Sequence, residues 1–176
     1  LFRSCLDEIK KAVNVPVIGM VEPSILGLKQ LSTQKKIEKV GVISTKATML
    51  SGVYQKMGPK NLFEHAAGPL VSLVEDSDLN QQELCAILNL LLPQNIKDSD
   101  ALLIGCTHFS ALIPALKIVL KPSCTIVDAA DVLALMLKDE LHLGRGILIA
   151  HVSDNPERFQ ITARRFMDEP LSIRGY

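Results

Sequence analysis

Short uninterrupted apolar runs alternate along this chain with longer stretches where apolar residues recur at helical spacing. Residues 2–12 read as the end of an amphipathic helix, with Phe2, Leu6, Ile9 and Val13 on one face. The run Val15-Pro16-Val17-Ile18-Gly19-Met20 reads as a short buried strand. Glu22-Pro23-Ser24 then opens a helix, because proline is favoured in a first helical turn. A charged stretch over 34–39 leads into a second buried strand at 40–43, followed by a turn at 44–48 and a helix to about Met57. Residues 62–67 read as a strand, and 78–92 as a helix with Leu79, Leu84, Ile87, Leu88 and Leu91 on one side. Ala101-Leu102-Leu103-Ile104 is continuous apolar sequence, as expected of a strand covered on both faces. Gly105-Cys106-Thr107-His108 ends it, and a helix runs to about Val119. A strand at 125–127, a helix at 128–140 and a last strand at 147–150 follow. Asn155-Pro156-Glu157-Arg158 caps the last helix.

Strands alternating with helices imply an α/β fold with mainly parallel sheets flanked by helices and right-handed crossovers. Ligands in such folds sit beyond the carboxyl ends of the strands. That rule directs attention to Ser44-Thr45, to Gly105-Cys106-Thr107-His108 and to Val152-Ser153. The strand–helix repetition is architectural, with no short sequence period and no low-complexity segment.

Composition narrows the function classes. With 48% hydrophobic and 22% charged residues, the chain is foldable rather than disordered. Lys plus Arg and Asp plus Glu are both 19, which argues against a nucleic-acid surface. No window approaches the roughly 18 apolar residues of a membrane span. The N-terminus lacks a signal-peptide pattern and an initiator Met, so the chain looks cut from something longer. Cysteines stand at 5, 85, 106 and 124 without the two-residue spacing of a zinc knuckle or redox motif. They read as reduced thiols, with Cys5 and Cys85 buried in helices.

Cys106 lies between a buried strand and a helix N-terminus, where the helix dipole and free amides lower a thiol pKa. Gly105 lets the backbone approach a ligand closely. His108, two residues on, is placed to face the same cleft and exchange protons. The segment reads equally as a buried cysteine and a surface histidine at an ordinary strand-to-helix turn. A metal site is the weaker reading, because no second pair of ligands stands nearby. Ser44-Thr45-Lys46-Ala47-Thr48 puts hydroxyls and amides at a helix start, a cradle for a carboxylate. Taken alone, plain N-capping by Ser44 or Thr45 explains it better. Glu75 stands where an apolar run meets a loop, and by spacing alone it is a solvated carboxylate. His65 and His142 read as structural or surface residues, and His151 carries no partner pattern.

Several motifs, in order, resemble one family. Gly105-Cys106-Thr107-His108-Phe109 resembles the second cysteine motif of glutamate racemases, members of the aspartate/glutamate racemase superfamily. Pro16-Val17-Ile18-Gly19 with Glu22-Pro23 is similar to the family's interdomain segment. Residues 40–48, with Ser51-Gly52 and Tyr54-Gln55, are similar to its Gly-Thr-x-x-Thr loop and helix. Residues 66–75 resemble the segment ending in Leu-Val-Glu, and Asp154-Asn155-Pro156-Glu157-Arg158-Phe159 its Asp-Pro-Glu-Arg-Phe pattern. Departures are Ser44 for the usual Gly, and Phe109-Ser110 for Tyr-Pro. The family's opening Asp-Ser-Gly segment and its first catalytic cysteine, in an Asn-Thr motif, do not appear. By family spacing that cysteine falls a few residues before Leu1, and Cys5 does not replace it.

The resemblance implies two racemase-type lobes facing each other across a site, the N-terminal lobe incomplete here. Residues 1–21 would be a remnant of that lobe, 22–127 the complete middle lobe, and 128–176 the C-terminal part that completes the first. The implied reaction inverts the α-carbon of glutamate by moving one proton between two thiols on opposite faces, with no cofactor and no metal. Cys106 would be one of the thiols, assisted by His108 and Glu75. Thr45, Thr48 and Thr107 would hold the substrate's carboxylate and amino groups. The product, D-glutamate, feeds peptidoglycan synthesis, so a cytoplasmic location is expected, with no nucleic-acid or membrane partner; a homodimer is compatible with it. The rival readings are a racemase of the same superfamily acting on aspartate or a hydantoin, and a non-catalytic racemase-like binding protein.

Overall fold

The computed structural model describes residues 5–76, 78–138 and 149–167, and the backbone of 172–175. Four strands form one sheet: β1 (Val40–Ser44), β2 (Leu62–Ala66), β3 (Ala101–Ile104) and β4 (Thr125–Asp128). Their order is β2-β1-β3-β4, and every pairing is parallel. A second sheet pairs β5 (Ile149–Val152) with β6 (Ser172–Gly175), also in parallel.

Side chains alternate between the two faces of a strand. In β3, Leu102 and Ile104 therefore join Ile43 on one face, and Ala101 and Leu103 join Val40 and Val42 on the other. The first face is covered by α5 (Pro69–Asp76), α6 (Gln81–Leu91), α7 (Gln94–Lys97) and α8 (Ile113–Val119), through Leu70, Val74, Leu88, Ile96 and Leu116. The second is covered by α2 (Val21–Gln34) and α4 (Val53–Met57), through Val21, Ile25, Leu28 and Tyr54. Burial on both faces explains why β1 and β3 read as continuous apolar runs. Helix α9 (Ala129–Leu137), capped by the Asp128 side chain, packs against α2.

The structure departs from several of these expectations. Residues 15–20 form no strand: Val15 is 65% exposed, and the segment joins neither sheet. Pro16 lacks the donor a ladder needs. The helix expected after residue 48 is two short ones, α3 (Lys46–Leu50) and α4, because Gly52 takes a left-handed conformation (φ 63°) between them. Helix α5 adds to the elements read from the sequence, with Pro69 in its first turn. Strand β6 makes β5 the penultimate strand rather than the last. Cys5, just ahead of α1 (Leu6–Ala12), and Cys85 within α6 are only partly buried. The expected strand start at 147–148, the helix end at 139–140 and His142 lie outside the described residues.

Candidate active site

β1 and β3 are hydrogen-bonded neighbours, with Ile43 opposite Ile104. The residues that follow them, Thr45 and Cys106, thus emerge at the same carboxyl edge of the sheet. Gly105 makes this approach feasible. Its amide donates to the Ile43 carbonyl at 2.8 Å, and a Cβ there would stand 2.8 Å from the Ser44 Cβ and 2.9 Å from that carbonyl oxygen. The glycine is needed for the approach of strand to strand, whatever binds beyond it.

Cys106 has extended backbone and stands before a 3-10 helix, Thr107–Leu112; α8 begins only at Ile113. The α-helix N-terminus expected beside the thiol is therefore displaced by one tight segment. In a 3-10 helix residues three apart share a face. Phe109 and Leu112 are the buried pair, so His108 is turned aside from the core. Its Nδ1 lies 3.9 Å from Cys106 Sγ. Its Nε2 lies 2.9 Å from Glu75 Oε1. Glu75 follows the buried Val74 in α5, about 100° further around the helix, and so leaves the core face. The structure thereby joins Cys106, His108 and Glu75 in one chain of contacts.

Thr45 N-caps α3: its Oγ1 accepts from the Thr48 amide at 3.3 Å and lies 3.0 Å from Thr48 Oγ1. The capping role read from the sequence is present, and both hydroxyls stand at the end of the strand next to β3. Thr107 is exposed at the start of the 3-10 helix. His65 lies in β2 and His151 in β5. Among the described residues no three His, Cys, Asp or Glu side chains gather as a metal site.

A cleft of about 530 Å³ opens beside Glu75 and His108. Its other wall comes from Val152 at the end of β5 and from Asp154, Asn155, Arg158 and Phe159 at the start of α10 (Pro156–Ala163). Asn155, at φ 43°, caps α10 by accepting from the Arg158 amide. Arg158 reaches across to pair with Asp76, and its Nη2 stands 3.9 Å from Glu75 Oε2. Phe166 sets its ring edge-on to His108, with centroids 6.4 Å apart. Arg158 and Phe166 escaped the sequence reading as site residues. The Asp-Asn-Pro-Glu-Arg-Phe pattern marked the first; nothing local marked the second.

The family model for Asp/Glu/Hydantoin racemase matches residues 3–137. The chain belongs to this family. The glutamate racemase of Aquifex pyrophilus is 33% identical over 135 residues, covering 75% of this chain and 52% of that protein. The solved glutamate racemase of Thermus thermophilus, in complex with β-chloro-D-alanine, superposes with a TM-score of 0.67 at 26% identity, covering 96% of this chain and 66% of that one. For glutamate racemase isoform RacE1 of Bacillus anthracis the TM-score is 0.73 at 24% identity, with 97% and 68% covered; this likeness concerns the fold. The chain thus spans between about half and two thirds of the length of these relatives. The α/β architecture with a parallel sheet is that of the racemase family. Among the described residues, no helix is long and apolar enough to cross a membrane.

Proposed function

We propose that this chain is the Cys106-bearing part of a cofactor-independent glutamate racemase. The observation that carries the reading is the Cys106–His108–Glu75 chain of contacts at the carboxyl edge of a parallel sheet, in a member of this family. The Thermus thermophilus relative's complex with β-chloro-D-alanine supports an amino-acid-sized ligand.

In the neutral imidazole, the Glu75 contact assigns the proton to Nε2 and leaves the Nδ1 lone pair facing Cys106 Sγ. His108 can then take the thiol proton and leave a thiolate. The thiolate removes the α-proton of one glutamate enantiomer: the C–H bond breaks and an S–H bond forms. A second thiol on the opposite face returns a proton and inverts the centre. Cys85, which reaches the Ala115 carbonyl between α6 and α8, and Cys124, beside Ser99, are not assigned that role; neither is Cys5. Thr45, Thr48 and Thr107 hold the substrate's carboxylate and amino groups. Residues 22–127 form one lobe of the enzyme, and 1–21 with 128–176 belong to the other. D-Glutamate supply for peptidoglycan places the protein in the cytoplasm.

The test is exchange of the α-proton with D2O for each enantiomer of glutamate, with aspartate and a hydantoin alongside. Exchange of glutamate that vanishes in Cys106→Ser supports the reading. Preferential exchange of aspartate or hydantoin replaces the substrate. Glutamate binding without any exchange leaves a binding protein.

A further inference from the structure

Glu75 and Asp76 occupy the last positions of α5, where the helix dipole disfavours negative charge. The last turn of α5 contains no basic residue of its own. Its cations come from far along the chain. Arg158 pairs with Asp76 and stands 3.9 Å from Glu75 Oε2. Arg165 donates through Nη1 to the Val74 carbonyl, one of the acceptors that a helix end leaves open, and through Nη2 to Asp78 Oδ1 at 3.2 Å. Arg158 thus stands beside the carboxylate that faces His108, Arg165 holds the end of the same helix, and Phe166, next to Arg165, sets its ring edge-on to the imidazole.

We propose that Arg158 is a positioning residue for the Glu75–His108 pair, acting across the cleft. Glu75 uses Oε1 for His108, and the guanidinium on the Oε2 side holds the carboxylate in that rotamer against the repulsion of Asp76 and the helix end. Arg158 acts on the imidazole through Glu75. The same contacts tie α10 and the turn after it to the end of α5. This proposal rests on the racemase reading for its kinetic consequence, but not for its structural one.

Two measurements separate these. First, α-proton exchange of glutamate is followed in Arg158→Ala and Arg158→Lys, each with Glu75 intact and with Glu75→Gln. Arg158→Ala is expected to slow exchange about tenfold with KM nearly unchanged. Arg158→Lys should recover part of the loss, and the effect should disappear in the Glu75→Gln background. Second, the His108 imidazole 15N shifts are recorded at pH 8 without substrate. Arg158→Ala should move the Nε2 resonance towards that of a free imidazole, and Arg158→Lys should restore it. Arg158 is 55% exposed, so these variants should fold, and their melting temperatures verify it. An unchanged His108 spectrum in Arg158→Ala, or a rate loss that persists in full with Glu75→Gln, overturns the proposal. If the unaltered protein exchanges no glutamate proton, the racemase reading falls while the His108 shifts still decide the role of Arg158.

Discussion

The Nε2 atom of His108 stands 2.9 Å from Oε1 of Glu75, although the two residues come from different strand-to-strand connections. The contact orients the imidazole so that Nδ1 faces Cys106. Replacing Glu75 by Gln keeps the shape but removes the charge that selects one ring orientation. Exchange of the glutamate α-proton should then fall by about 10²-fold, the low end for a displaced acid–base group. Stability should change by less than about 1 kcal/mol, because both partners are a third exposed. Kinetics and thermal melts on the same samples make the comparison; a large melting shift with unchanged rate would assign Glu75 a structural role.

Cys106 should alkylate faster near pH 7 than Cys5 or Cys85. It is partly accessible at a strand end and has a histidine nitrogen 3.9 Å from its sulfur. Cys124 should be the slowest, since burial pushes its thiol above the usual range despite the hydrogen bond to Ser99. Iodoacetamide labelling read by peptide mass spectrometry, as a function of pH, ranks the four. Cys106 reacting no faster than Cys5 and Cys85 rules out an activated thiol.

The sheet was legible in the sequence because its strands bury both faces, so Val40, Val42 and Ile43 and the run Ala101 to Ile104 stand out as apolar blocks. Residues 15–20 carry the same local signal and form no strand, since pairing depends on what lies alongside. The carboxyl-end rule located Thr45, Cys106 and His108 without any contact information. Glu75 looked solvated because its partner, His108, enters from another connection. The arginine contacts join α10 and the turn after it to α5. No local pattern encodes such pairings, so Arg158 was visible only as part of a motif and Arg165 not at all.

Gly105→Ala should destabilise the protein by about 1–3 kcal/mol, the usual cost of overpacking a close contact. The added methyl would meet the Ile43 carbonyl oxygen at 2.9 Å and the Ser44 Cβ at 2.8 Å, and backbone cannot yield as a side chain does. The displacement passes directly to Cys106. Urea denaturation gives the stability, and the alkylation rate of Cys106 reports the displacement; an unchanged midpoint would show that β1 and β3 tolerate a wider gap.

Asp100 ties the amino-terminal edge of the sheet. It pairs with Lys121, and its Oδ2 accepts from the amides of Glu38 and Lys39 at 2.8 and 2.9 Å. The Lys121 hydrogen bond first, then these amides, hold its carboxyl at about 2, below the ordinary 3.8. A folded-state value below the unfolded one stabilises the protein above the unfolded value. That contribution is lost as pH falls through the window between them. It should amount to about 1 kcal/mol after solvent screening. Asp100→Asn should therefore lower stability at pH 7 and flatten its dependence on pH between about 4 and 2. Parallel denaturation curves of the two proteins over that range test this; identical slopes would mean that other carboxylates dominate acid unfolding.

The last expectation concerns stereochemistry. Inversion needs an acid and a base on opposite faces of the α-carbon, and among the described residues Cys106 is the thiol that stands in the His108–Glu75 chain of contacts. Under the proposed racemase chemistry, a single thiol would remove the α-proton and return it to the same face, exchanging the hydrogen without inverting the centre. Absence of a placed proton-transfer group costs about 10²–10⁴-fold in rate. The 176-residue chain should therefore incorporate deuterium into one glutamate enantiomer only, with no change in optical rotation. NMR of the α-proton and polarimetry on the same D2O incubation distinguish the two events. His108→Ala should slow the deuterium uptake further, and Cys106→Ser should abolish it. Rapid inversion by this chain would mean that a second base lies within these residues, and the one-thiol assignment would have to be abandoned.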